Sequence, residues 1–113
     1  MAPPLLSVEN TYWSFLHETT MSDVIRRCFT LSGEVQGVGY RSWAHFHATR
    51  LSLVGQVRNC SDGTVQVIAQ GTSANLATFE QLLKTGPPFA MGAEIESINL
   101  PPDDALTTFN LVQ

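Results

Sequence analysis

Hydrophobic residues first alternate with polar ones and then recur at helical spacing. Residues 26–32 alternate, with Phe29 and Leu31 on one side, which predicts a half-buried strand. Residues 41–50 contain neither glycine nor proline, and an apolar stripe runs through this part of the chain, formed by Tyr40, Ala44, Ala48 and Leu51. The pattern therefore predicts a strand followed by a helix.

Two short β-like runs come next, at 54–59 and 64–70. They are separated by a segment that contains Asp62-Gly63, and this dipeptide supplies the positive φ that tight turns require, so the runs are predicted to form a hairpin. Ser73 is predicted to cap a second helix. The apolar stripe of that helix consists of Leu76, Phe79 and Leu83. Gly86, Pro87 and Pro88 are predicted to end the helix.

Residues 93–100 and 107–112 are predicted to form the last strands. The order is then β-α-β-β-α-β with an extra C-terminal strand. This order suits an α+β, ferredoxin-like two-layer sandwich, in which two helices cover one face of an antiparallel sheet and the other face is more exposed to solvent.

Length and composition favour one domain. The chain has 113 residues, of which 43% are hydrophobic, enough for one modest core. Regular patterning begins near Ile25, so residues 1–22 are predicted to be a poorly ordered N-terminal extension, a tag remnant or an alternative start, and 23–113 the domain. No run is long enough to span a membrane.

The charge balance argues against a nucleic-acid partner. Only 14% of residues are charged and the formal net charge is −4, so a diffuse basic surface is absent and any anion site must be local. Cys28 and Cys60 are too few for a disulfide scaffold and indicate free thiols in a reducing cytosol, although the sequence leaves their pairing open. We expect a cytoplasmic monomer.

A glycine-punctuated segment joins the first strand to the first helix. Between Gly33 and Arg41, three glycines allow backbone torsions that turn successive N–H groups inward, and inward amides bind anions. The helix N-terminus adds partial positive charge, and Arg41 offers a fork of donors that matches phosphate oxygens. The alternative is a merely flexible connection with Arg41 in solvent, and the spacing alone does not decide between them.

Two motifs together resemble one family. The run Gly33-x-Val35-Gln36-Gly37-Val38-x-Tyr40-Arg41, followed by Gly55-x-Val57-x-Asn59-x-x-Asp62-Gly63-x-Val65, is similar to the acylphosphatases. The resemblance covers about residues 25–113. It implies the same ferredoxin-like fold and hydrolysis of the carboxyl–phosphate bond of small acyl phosphates, with inorganic phosphate as a product and no cofactor or metal.

The resemblance also implies roles for individual residues. Arg41 would hold the phosphoryl group and Asn59 would orient the attacking water. The backbone amides that would join Arg41 are those of Glu34, Val35, Gln36, Gly37, Val38, Gly39 and Tyr40. Taken by itself, Asn59 could instead bond its own hairpin turn, and Asp62 and Gly63 are turn formers. A non-catalytic phosphoanion-binding module on the same fold is the alternative function.

Four positions depart from the family pattern. Glu34 places an acid in the loop and is expected to point outward. Ser52 replaces a glycine at the end of the first helix, where a left-handed conformation would cost on the order of 1 kcal/mol. Gln56 replaces an aromatic residue, and Tyr40 stands where phenylalanine is usual.

Two histidines on the first helix are set aside as metal ligands. His45 and His47 are two residues apart, so they face different directions and do not form an i, i+4 pair.

Overall fold

The computed structural model describes residues 24–113, and the extension predicted for residues 1–22 lies outside them. The elements, in chain order, are β1 (Val24–Glu34), α1 (Tyr40–Arg50), β2 (Val54–Asn59), β3 (Val65–Thr72), α2 (Ser73–Thr85), β4 (Met91–Leu100) and β5 (Phe109–Val112). The predicted α+β order with an extra C-terminal strand is confirmed. In the described part of the chain, no helix is long and apolar enough to cross a membrane.

The strands form one sheet in the order β4-β1-β3-β2-β5. The central strand pairs are antiparallel, so the predicted antiparallel sheet is confirmed for β1 to β4. The added strand β5 instead lies parallel to β2, which makes the whole sheet mixed. Because β4 ends at one end of the sheet and its connection crosses to the opposite edge, β5 must run back in the direction of β2.

Both helices bury their apolar stripes against the same face of the sheet. Phe29 and Leu31 of β1 lie opposite Val67 and Val65 of β3, and all four side chains are fully buried. Phe79 of α2 packs edge-on against Phe29, with 6.1 Å between ring centroids. Burying each such side chain contributes about 1.5–3 kcal/mol, which fixes the helices on the sheet.

The second helix begins differently from the prediction. Its N-cap is Thr72, whose hydroxyl accepts a 3.2 Å hydrogen bond from the Asn75 amide, and Ser73 is the first helical residue. Thr72 takes this role because it ends β3 with an extended backbone, φ −71° and ψ 155°, the conformation that an N-cap requires.

The first helix is attached to the second through its N-terminal turn. The Tyr40 hydroxyl donates to the Leu83 carbonyl, and Trp43 Nε1 donates to the Leu82 carbonyl at 3.0 Å. Tyr40 is almost fully buried, and burial raises its pKa to about 12. The start of α1 is therefore held in place by the end of α2.

Candidate functional site

The loop between β1 and α1 presents unpaired backbone donors. Gly33, Gly37 and Gly39 all have positive φ, at 110°, 76° and 85°. Among residues 24–113, the amides from Gln36 to Arg41 have no hydrogen-bond acceptor, whereas the Val35 amide donates to the Gly33 carbonyl at 3.0 Å. Successive unpaired amides on a left-handed turn form a concavity that suits an anion.

The first turn of α1 concentrates positive charge. Its N-cap is Gly39, no side chain caps it, and it contains no acidic residue. Arg41 lies in this turn, where a cation is unfavourable by about 0.3–1 kcal/mol because of the helix dipole. No carboxylate of the described residues pairs with Arg41, and its Nη1 donates to the Val112 carbonyl at 3.0 Å. A bound anion would balance the positive charge of Arg41 and the partial positive charge of the helix N-terminus.

Asn59 ends β2 at the same end of the sheet as this loop. It lies opposite Val65 and shares the helix-covered face with Val57. Within the described residues its side chain has no hydrogen-bond partner. Arg58 points to the opposite face, as expected from strand alternation, where its Nε donates to Gln66 Oε1 at 3.2 Å.

The hairpin turn is closed by residues other than Asn59. Asp62 Oδ1 accepts from the Thr64 amide at 3.0 Å and from its hydroxyl at 2.7 Å, and these bonds lower the pKa of the carboxyl. The Cys60 amide donates to the Thr64 carbonyl at 2.8 Å. The Asn59 side chain is therefore not needed for the turn.

The loop, Arg41 and Asn59 share one cavity of about 280 Å³. Its lining residues are Val35, Gly37, Gly39, Tyr40, Arg41, Ser42, Asn59, Leu111 and Gln113. The structure thus brings together the two side chains that the motifs singled out, and it adds the C-terminal residues from β5 onward, which sequence reasoning missed. Their contribution depends on the parallel pairing of β5, which the pattern did not indicate.

Three predicted loop residues do not line the cavity. Glu34 is exposed and ends β1, Val38 is half-buried against the core, and Gln36 turns its side chain toward the hairpin. Gln36 Nε2 donates to the Cys60 carbonyl at 2.7 Å and the Thr64 carbonyl at 2.8 Å. Gln36 therefore connects the loop to the strand end that carries Asn59.

The remaining candidate residues lie in separate surroundings. The His45 ring lies beside Phe109 and the His47 ring beside Trp43, so the two histidines face different directions as predicted. Cys28 and Cys60 are free thiols, and burial is the main cause that raises the Cys28 pKa.

Comparison with known proteins points to one family. A family model described as acylphosphatase matches residues 28–111. An acylphosphatase of Nitratidesulfovibrio vulgaris (strain DP4) is 52% identical over 65 residues, which cover 58% of this chain and 65% of that relative's length. One of Xanthomonas euvesicatoria pv. vesicatoria (strain 85-10) is 42% identical over 82 residues, covering 71% of this chain and 93% of the relative.

Solved structures give the same result. The acylphosphatase from Bacillus subtilis superposes with a TM-score of 0.75 at 29% identity, covering 79% of this chain and 99% of its own. An acylphosphatase from Coxiella burnetii superposes with a TM-score of 0.77 at 28% identity, covering 82% of this chain and 97% of its own.

Proposed function

The chain belongs to the acylphosphatase family, and we propose that it hydrolyses the carboxyl–phosphate bond of small acyl phosphates to a carboxylate and inorganic phosphate. The observation that carries this proposal is that one cavity is lined by Arg41, by Asn59 and by loop residues whose amides are unpaired, namely Gly37, Gly39 and Tyr40. The cavity volume of about 280 Å³ lies at the small end of ligand sites, which suits a small substrate.

The phosphoryl group would bind between the loop and Arg41. Its equatorial oxygens gather charge in the transition state, and preorganised N–H donors stabilise that charge without reorganising. The amides from Gln36 to Tyr40 and the guanidinium supply such donors, and the N-terminus of α1 adds its partial charge. Of the predicted amide donors, those of Glu34 and Val35 lie at the start of the loop, and the Val35 amide would have to leave the Gly33 carbonyl to join them.

Asn59 would orient the attacking water. Its amide oxygen accepts one water hydrogen, and its NH₂ group remains able to donate elsewhere. The water oxygen forms a bond to phosphorus while the bond from phosphorus to the carboxyl oxygen breaks in line. The leaving carboxylate takes the bonding electron pair, and a phosphate oxygen takes the proton from water. The step needs neither a covalent nucleophile nor a strong base.

We expect hydrolysis without a metal ion, because Arg41 and the amides already face the charge that a metal would neutralise. We also expect a monomer in the cytoplasm and no nucleic-acid partner, in keeping with a net charge of −4.

Alanine variants test the proposal directly. Arg41→Ala and Asn59→Ala should each lower the turnover of acetyl phosphate by roughly 10²-fold or more, as loss of a preorganised polar group does elsewhere. Arg41→Lys should also be strongly impaired, since an ammonium lacks the planar fork. The matched controls are Arg58→Ala and Asn110→Ala, whose side chains lie away from the cavity.

The assay is run with and without a chelator, and circular dichroism confirms that each variant is folded. Near-normal turnover in both site variants would overturn the assignment of Arg41 and Asn59, and activity that requires added metal would overturn the metal-free mechanism. Saturable phosphate binding without hydrolysis above the uncatalysed rate would instead indicate the non-catalytic phosphoanion-binding module.

A further inference from the structure

Leu111 is an exposed apolar side chain on the wall of the cavity. Large apolar side chains that are exposed in the described part of the chain are Phe46, Phe89, Ile98 and Leu111. Of these, only Leu111 lines the cavity, and 47% of it is exposed. A leucine left open to water beside a polar anion site has apolar surface that a bound ligand would cover.

The position of Leu111 is fixed relative to the proposed catalytic groups. In the parallel pairing of β5 with β2, Leu111 lies beside Val57, two residues before Asn59. The next residue, Val112, accepts the hydrogen bond from Arg41 at 3.0 Å. A phosphoryl group held by Arg41 would therefore have its acyl substituent within reach of an apolar wall.

The described residues that line the cavity offer no counter-ion for a second negative charge. Arg41 is the one charged side chain among the described residues that line it, and the phosphoryl group would occupy that charge. The polar side chains of Ser42, Asn59 and Gln113 are neutral. Glu34, exposed at the end of β1, adds negative charge at the start of the loop.

Resting on the proposed hydrolysis, we propose that Leu111 contacts the acyl group and selects neutral, apolar acyl groups over those that carry a second negative charge. Burying one methylene against leucine is worth roughly 2- to 4-fold in kcat/KM. A carboxylate in the same place would lose hydration without gaining a cation, so it is discriminated against.

The test compares kcat/KM for acetyl, butanoyl, benzoyl, 4-methylbenzoyl and 4-carboxybenzoyl phosphate, together with the Ki of inorganic phosphate as a competitive inhibitor. The wild type should prefer butanoyl over acetyl phosphate by roughly 4-fold or more. It should also prefer 4-methylbenzoyl over 4-carboxybenzoyl phosphate by about 10-fold, a pair of similar size that differs in charge. Leu111→Ala should lower the values for butanoyl and benzoyl phosphate by roughly 10-fold and that for acetyl phosphate by less than about 3-fold.

Two further variants separate contact from structure. Leu111→Lys should reverse the preference within the 4-substituted pair, because it supplies the missing cation. Ile98→Ala removes another exposed apolar side chain, on the opposite face of the sheet, and should leave every substrate unchanged. The Ki of phosphate should be the same in the wild type and Leu111→Ala, since phosphate does not reach the leucine.

Each contrary result has a distinct meaning. Equal losses for all acyl groups in Leu111→Ala, accompanied by a weaker Ki of phosphate, would show a structural role and overturn the inference. Hydrolysis with no dependence on acyl length, or a preference for the 4-carboxy substrate, would overturn the inference but leave the proposed function standing. Hydrolysis of none of the substrates would overturn both.

Discussion

Ser52 occupies a backbone position that glycine would fill at lower cost. Its φ is 58°, and it follows the C-cap of α1, Leu51. The Leu53 amide donates to the Ala48 carbonyl at 2.9 Å and the Ser52 amide to the Thr49 carbonyl at 3.1 Å, the paired bonds of a Schellman motif. In that motif the residue after the C-cap must be left-handed.

Ser52→Gly should therefore stabilise the protein by about 1 kcal/mol. The measurement is the urea midpoint at constant m-value. Ser97→Gly is the matched control, because Ser97 is also exposed but lies within β4, where glycine weakens a strand. A stabilisation by both variants, or by neither, would argue against relief of strain at Ser52.

Single residues could be predicted where their signal is local. A left-handed Ser52 is expected because the family pattern has a glycine at this helix end, and the structure confirms it. The prediction that Ser73 caps α2 is wrong. Two neighbouring hydroxyl residues satisfy the same sequence pattern, and only the end of β3 decides that Thr72 takes the role.

Gln36 joins two elements that together form the candidate site. Its Nε2 donates to two carbonyls of the β2–β3 turn, at 2.7 and 2.8 Å, although those residues lie 24 and 28 positions after Gln36 in the sequence. The loop that would hold phosphate is thereby tied to the strand end that carries Asn59. Gln36→Ala should separate these elements slightly and lower kcat for an acyl phosphate by roughly 10-fold, because small misplacements are costly in a preorganised site.

Gln36→Glu should be at least as impaired, since a carboxylate cannot donate to the two carbonyls. The control is Gln66→Ala, which removes a glutamine that bonds Arg58 on the other face of the sheet. The pH-independent kcat and the unfolding midpoint are measured for all three. A Gln36→Ala enzyme with wild-type kcat would show that the loop holds its position without this bond.

The positions of the strands and helices along the chain could be predicted, but their full arrangement in the sheet could not. The strands, helices and hairpin follow from local periodicity, but the direction of β5 depends on how residues 101–108 cross from one sheet edge to the other. That connection is fixed by Gln70 on the open face, whose Nε2 donates to the Asp103 carbonyl at 3.0 Å and whose Oε1 accepts from the Asp103 amide at 2.8 Å. Such a long-range pair has no signal in the local pattern, so the wall formed by Leu111 was not foreseen.

At the scale of the whole molecule, the site depends on how the two helices pack. Tyr40 begins α1 directly after the loop, and its hydroxyl bonds to the end of α2. Gly86, just beyond α2, passes so close that an added Cβ would lie 3.2 Å from the Tyr40 ring. Tyr40 thus belongs both to the core and to the lining of the candidate site, and this couples the stability of the fold to the geometry of the loop.

The burial of Tyr40 between the loop and α2 should be visible in how the free energy of unfolding depends on pH. The pKa of Tyr40 is raised by burial from 10.0 to about 12, so above pH 10 the unfolded chain releases a proton that the folded protein keeps. The unfolded state is favoured progressively between pH 10 and 12, and stability falls by about 1.4 kcal/mol for each unit of pH within that window.

Tyr40→Phe should remove this decline. At pH 8 the variant should be less stable than the wild type by roughly 0.5–1.5 kcal/mol, because the Leu83 carbonyl loses its donor. By about pH 11 the wild type has lost a comparable amount that the variant keeps, so the two urea-unfolding curves should approach each other or cross. Groups that titrate in both proteins cancel in this comparison, and parallel pH profiles from 8 to 11 would mean that the buried phenol is not the source of the decline.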